Sequence, residues 1–207
     1  MLYLILADID GLDFDGEKLL SSNELSYLST VKLEKRKKEF IASHSLLRMI
    51  RREILGFENE EMFYNEYGKP SLTHLEFDFS ISHTEGFVAL LISDIPNVKI
   101  GVDIQKKFSN IKAEKRVEER FLKNKEFLLL KSGEIDLTAR VYSNGKLDTV
   151  ELAEKKKEDF LYFWTRLEAI LKMSGEGFSK LGDIHTVKAW VKSYEFFDYT
   201  VSVAIEK

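Results

Sequence analysis

The stretch from Asn23 to Leu55 does most to limit how this chain can fold. Leu33, Phe40, Leu47 and Ile54 recur every seven residues, with Leu46 and Ile50 widening the stripe. That is the pattern of an amphipathic helix, and Gly56 is a suitable stop for it. Strand patterns lie on both sides. Tyr3 to Ala7 reads as a strand, followed by a polar, acidic loop through Gly16. After the helix come a short strand at Met62 to Tyr64 and a Gly-Pro turn, YGKPS, at Tyr67 to Ser71. FDFSIS (Phe77 to Ser82) alternates apolar and polar residues and reads as a hairpin with FVALLIS (Phe87 to Ser93) across Thr84-Glu85-Gly86.

The second half repeats the mixture. A strand spans Lys99 to Ile104, and helix is expected from Ala113 to Leu130 and from Lys155 to Met173, the latter stopping near Gly175 and Gly177. Between those helices, Glu134 to Leu152 forms a hairpin pattern, with Asn144-Gly145 supplying the positive φ angles of a tight turn. Strands at Thr186 to Lys192 and Tyr199 to Ile205 close the chain. FVALLIS and YTVSVAI echo each other faintly. Hairpins outnumber crossover units, so the expected class is α+β.

Composition narrows the function. The chain has 207 residues, 44% of them hydrophobic, enough for a real core. A net charge of −4 with mixed signs announces neither nucleic acid nor membrane as a partner. There is no cysteine, which excludes disulfides, zinc–thiolate sites and thiol nucleophiles. MLYLILADID reads as a first strand rather than a signal peptide, and no apolar run approaches the roughly 20 residues that span a bilayer. A soluble, cytoplasmic protein is expected.

Five places can carry chemistry. IGVDIQ (Ile100 to Gln105) puts one carboxylate, Asp103, among strand residues; such a group either caps a turn at the strand's end or binds a cation. Gln105 lies on the same strand face, and a hard cation such as magnesium takes one or two carboxylates plus phosphate and water oxygens. In FLYFWTRLEAILKMSGEG, the residues Phe160, Phe163, Trp164, Leu167, Ile170 and Leu171 make an apolar face. Thr165, Glu168 and Lys172 line a separate stripe, either a solvated ion pair or a ligand-and-base set. SISHTEG offers Ser80, Ser82 and His83 to a phosphate, with no Gly-x-Ser-x-Gly elbow to suggest a serine nucleophile. In Lys32 to Arg52, eight cations (Lys32, Lys35, Arg36, Lys37, Lys38, Arg48, Arg51, Arg52) face two glutamates, Glu34 and Glu39. That run is a solvated face, or a surface for a polyphosphate, an acidic protein or a nucleic acid. Its one aromatic, Phe40, lies on the apolar stripe, which disfavours nucleic acid. His44 falls at the stripe's edge and reads as packing. Lys69 sits on the Pro-braced turn, where a point charge suits a phosphate.

In their order and spacing, RKKEFIASHSLLR, YGKPSL, FDFSISHTEG, IGVDIQ and FLYFWTRLEAILKMSGEGFS resemble the 4'-phosphopantetheinyl transferases of the larger, surfactin-synthetase-activating type, over roughly residues 30 to 180. The resemblance implies two similar α/β halves, residues 1–97 and 98–207, packed as an intramolecular pseudo-dimer with the active site between them. It implies Mg2+-dependent transfer of phosphopantetheine from coenzyme A to a serine of an acyl or peptidyl carrier protein, by a monomer. By the same resemblance, Asp103, Glu168 and Gln105 would bind the metal, and Glu168 and Lys172 would be catalytic. Arg36 or Lys35, Lys69, Ser82, His83, Asp103 and Lys172 would hold coenzyme A. The chain departs from the family at Gln105, where an acid is usual, at Leu167, where lysine is common, and at His44, where arginine is frequent. Arg166 points roughly 100° from Leu167 on a helix and is no simple substitute.

Overall fold

The stretch from Asn23 to Leu55 is two helices, not one. In the computed structural model, which describes residues 1–12, 15–56, 61–72, 77–107, 111–123 and 125–207, α1 spans Ser22–Thr30 and α2 spans Glu34–Leu55. Ser21 and Glu24 cap α1 reciprocally. Glu24 also accepts hydrogen bonds from Arg48 and contacts His44 of α2. In one continuous helix, residues 24 and 44 would lie about 30 Å apart, so this ionic contact requires α1 to fold back. The break falls at extended Val31, and Leu33 becomes the cap of α2 with 61% exposure rather than part of the stripe. Phe40 and Leu47 do face inward, while the side chain of Ile54 lies outside the described residues. Gly56 ends α2 in the left-handed region, φ 72°.

The strands form two main sheets. β1 (Leu2–Asp8), β4 (Phe79–Thr84), β5 (Phe87–Ser93), β7 (Leu137–Ser143) and β8 (Lys146–Thr149) make the first, in the order β4-β5-β1-β7-β8. β6 (Ile100–Lys106), β9 (Ala153–Glu154), β10 (Ala189–Phe196) and β11 (Tyr199–Glu206) make the second, in the order β6-β11-β10-β9. β2 (Met62–Tyr64) and β3 (Pro70–Leu72) form a small separate hairpin. The order β4-β5-β1 matches β10-β11-β6: in each, a hairpin's second strand pairs antiparallel with the earlier strand. The echo between FVALLIS and YTVSVAI is therefore the two central strands, β5 and β11.

Strand alternation explains the layering. Leu2, Leu4 and Leu6 of β1 pack with Ile100, Val102, Ile104, Val201 and Val203 between the sheets. The opposite face, Ile5 and Ala7 with Val88, Leu90 and Ile92, meets Leu46, Leu47 and Ile50 of α2. On the far side of the second sheet lies α4 (Phe160–Ser174), whose Leu167, Ile170 and Leu171 pack against Val191 and Ala204. The result is a mixed α+β arrangement of helix, sheet, sheet and helix.

Three expectations shift. The helix expected from 113 to 130 is α3 (Ile111–Phe121) followed by a 3-10 segment, Lys125–Lys131. α4 begins at Phe160, because Asp159 caps it by accepting the Tyr162 N–H, while buried Lys155 pairs with Asp159 and Glu195. Residues Gly177–Thr186 are 3-10 helix, so the next strand starts only at Ala189. The expected hairpin forms with positive φ at Asn144 and Gly145, and β7 lies parallel to β1 in the first sheet.

Candidate active site

Asp78, just before β4, and Ser80 and Ser82 within it alternate onto one face, and the two serines are buried. Their side-chain oxygens accept the N–H groups of Ile100, Val102 and Ile104 at 2.9, 3.1 and 3.3 Å. β6 is an edge strand whose outer N–H groups would otherwise be buried without partners. A period-two polar face on one strand thus replaces the carbonyl row of a neighbouring strand and joins the two sheets. It also carries Ser82 to Asp103.

Asp103 is 1% exposed and faces α4. Its Oδ1 accepts from Ser82 Oγ at 2.8 Å and Lys172 Nζ at 2.7 Å, and its Oδ2 from Gln105 Nε2 at 3.2 Å. Lys172 also donates to Ser82 Oγ at 2.7 Å. An ammonium and two neutral donors therefore make this buried carboxylate tolerable. Gln105 serves as a donor to the carboxylate.

The glycine of IGVDIQ sets the approach of α4. A Cβ at Gly101 would lie 2.0 Å from the Ala169 carbonyl oxygen and 2.5 Å from Met173 N. Only glycine lets β6 press directly on the helix that carries Glu168 and Lys172. Burial first, then the charge of Asp103, push the Glu168 carboxyl up to about 7, against the pull of Lys172. No hydrogen bond occupies Glu168 among the described residues. Thr165, placed by spacing on the same stripe, is instead buried and bonded to Leu161 O and Ser202. Arg166 is buried on the opposite side, donating to Leu128 O and Ser132, and Leu167 is core.

A cavity of about 710 Å³ opens beside this cluster, lined among others by Tyr27, Arg36, Glu39, Phe40, His44 and His83. It shares Pro70 and Ile81 with a second, of about 180 Å³, that reaches Glu168 and Lys172. His83 is half-exposed, 3.5 Å from Glu39. Burial, ahead of the opposing pull of Glu39, lowers its pKa. Lys32, Lys35, Arg36 and Lys38 stand exposed around the start of α2, whereas Arg48 and Arg51 turn inward. The basic run is thus concentrated at the helix end that already carries a positive dipole, an arrangement that favours anions.

Lys69 is placed differently from the sequence expectation. Its ammonium meets Asp78 at 2.5 Å and the Ile100 and Met173 carbonyls at 3.4 Å. His44 does more than pack: it stacks on Phe40 at 3.8 Å and contacts Glu24 at 2.9 Å. Burial alone would raise the Glu24 carboxyl, but His44, Ser21 and Arg48 hold it down to about 2. Sequence reasoning passed over Glu24 and Asp78. The Ser-x-x-Glu capping pattern and the aspartate at the head of FDFSIS were the available signals.

Among the described residues no three His, Asp or Glu side chains converge. Asp103 and Glu168 do lie near enough for the charge of one to act on the other. That donor set fits a hard divalent cation whose remaining ligands are phosphate and water oxygens. The cluster thus brings together a buried carboxylate, an ammonium and a carboxyl raised toward neutral pH, beside a cavity rimmed by exposed cations.

No family model matches the chain. Over 171 residues, 80% of its length, the chain is 25% identical to the 4'-phosphopantetheinyl transferase HetI of Nostoc sp. strain PCC 7120, and the alignment spans 63% of that protein. This similarity supports a place in the phosphopantetheinyl transferase superfamily. No helix among the described residues is long and apolar enough to cross a membrane.

Proposed function

We propose that the protein transfers 4'-phosphopantetheine from coenzyme A to a serine of an acyl or peptidyl carrier protein. The observation that carries this reading is Glu168, without a hydrogen bond among the described residues and raised to about 7, in a cavity wall with Lys172, which pairs with Asp103. In the reaction the carrier's serine oxygen bonds to the β-phosphorus of coenzyme A. The bond from that phosphorus to the bridging oxygen breaks, and adenosine 3',5'-bisphosphate leaves. Glu168 takes the serine proton, for which a pKa near neutrality is suited. Lys172, which bridges Ser82 and Asp103, meets the negative charge that grows on the leaving phosphate.

Asp103 and Glu168 would hold magnesium, which when bound neutralises the phosphate oxygens. Gln105 orients Asp103, and its neutral amide in place of an acid weakens metal affinity. Arg36, Lys35 and His83 line or flank the larger cavity and would face the phosphates of coenzyme A, with Ser82 between them and the reacting centre. The exposed cations of α2 suit an acidic carrier surface. The reading extends to architecture: residues 1–97 and 98–207 are the halves of an intramolecular pseudo-dimer of the surfactin-synthetase-activating type. The shared strand order supports this, with β7 and β8 lent by the second half to the first sheet. Such a chain works as a cytoplasmic monomer.

Intact mass spectrometry of apo carrier proteins incubated with the protein, coenzyme A and magnesium tests the proposal. Gain of one phosphopantetheine, lost on chelation and in Glu168→Gln, is expected. Coenzyme A binding without transfer to any of several carriers would replace it with a non-catalytic binding role.

A further inference from the structure

The turn between β2 and β3 is exposed at residues 65–68, yet it grips the end of α4. Asn65 uses both ends of its amide. Its oxygen accepts the N–H groups of Tyr67 and Lys69 at 3.0 and 2.8 Å, which shapes the turn, and its nitrogen donates to Gly175 O at 2.7 Å. Gly175 closes α4 in the left-handed region, φ 76°, where the last carbonyls have no partner within the helix. A Cβ there would come 3.2 Å from Lys69 Cδ, so turn and helix end are in close contact.

Lys69 continues the grip. An ammonium has three N–H donors, and three acceptors surround it: Asp78 Oδ2, Ile100 O and Met173 O. Asp78 Oδ2 also accepts the Ile100 N–H. One cation and one carboxylate thus tie the turn, the start of β4, the start of β6 and the end of α4 together. Ile100 is three residues from Asp103, and Met173 directly follows Lys172.

We infer that Asn65, Lys69 and Asp78 are positioning residues: a polar clamp that sets α4 against β6 and so sets Glu168 and Lys172 against Asp103. Lys69 is then not a phosphate ligand, since its donors are committed. The clamp rests on the proposed transfer reaction only where turnover is the readout.

The test uses Asn65→Asp, Asn65→Ala, Lys69→Met and the conservative Lys69→Arg in the full chain. Hydrogen exchange is read at residues 171–175 and at Tyr67 and Lys69, with coenzyme A affinity by calorimetry and carrier modification by mass. Asn65→Asp keeps both acceptor bonds of the turn and loses the bond to Gly175. Exchange at 171–175 is expected to rise about tenfold while Tyr67 and Lys69 stay protected. In Lys69→Met, kcat falls at least about tenfold while the affinity for coenzyme A changes less than about twofold, and Lys69→Arg restores part of kcat. A tenfold loss of coenzyme A affinity in Lys69→Met with exchange at 171–175 unchanged would overturn the clamp and make Lys69 a ligand group. If Lys69→Met does not fold, the two Asn65 variants decide. If the wild-type chain neither binds coenzyme A nor modifies a carrier, the proposed function falls. The clamp then stands or falls on exchange at 171–175.

Discussion

Replacing Ser80 by alanine isolates the joint between the two sheets. Ser80 is 4% exposed, and its hydroxyl accepts the N–H of Val102, itself fully buried, at 3.1 Å. The substitution removes a hydrogen bond with a net contribution of about 1 kcal/mol, and it strands a buried N–H at a further cost of about 1–3 kcal/mol. The flanking bonds from Asp78 and Ser82 keep the strands in place, so relaxation cannot bring in water or another acceptor cheaply. A loss of about 2–4 kcal/mol follows. With a urea slope of about 2 kcal/mol per molar, the unfolding midpoint falls by about 1–2 M. Ser71→Ala, at an exposed position of β3, is the control and changes stability by less than about 0.5 kcal/mol. Native-state hydrogen exchange adds a local readout, because the Val102 amide should lose protection relative to its neighbours. An unchanged midpoint together with an unchanged Val102 amide would refute the side-chain ladder as the element joining the sheets.

Other substitutions probe the site from different sides. Glu168 has a folded pKa of about 7 against an ordinary 4.5, so the unfolded chain sheds its proton first. The contribution of Glu168 to stability is therefore fully present below about 4.5 and is lost as pH rises to about 7, by roughly 3 kcal/mol. In chelator, urea unfolding of Glu168→Gln should lack that decline, and parallel pH profiles for the two proteins would sink the assignment. Glu24 behaves oppositely: held at about 2, it contributes stability above 4.5 that is lost as pH falls toward 2. Glu24→Gln should cost roughly 3 kcal/mol at pH 7 and much less near pH 2, measured by thermal unfolding. Gly101→Ala forces a Cβ to within 2.0 Å of a helix carbonyl. It should cost about 3 kcal/mol and displace α4 from Asp103; a variant of wild-type stability would contradict the packing described.

The site was partly legible before any coordinates. Asp103, Gln105, Glu168, Lys172 and Ser82 each stood out as polar groups in apolar surroundings, or at a spacing that shares a face, and Asp103, Ser82, Lys172 and Gln105 do form one hydrogen-bonded cluster. The contacts of Lys69 with Asp78, Ile100 and Met173 were not legible, because a turn's sequence carries no record of what packs on it. Glu24 escaped because its partners lie 20 and 24 residues away.

Local chemistry settled the helices' faces, the capping glycines at 56 and 175, and the strand alternation, since these depend on residues within one or two turns. The sequence by itself also determined that Asp103 needed compensation, because a buried carboxylate is costly wherever it sits. What compensates it was decided by tertiary structure: Lys172 reaches Asp103 across 69 positions, and Ser82 across 21. The fate of FDFSIS was decided the same way. By pattern its serines were offered to a phosphate, but an edge strand with unsatisfied N–H groups came to lie against them, and hydrogen-bond demand made that face a joint.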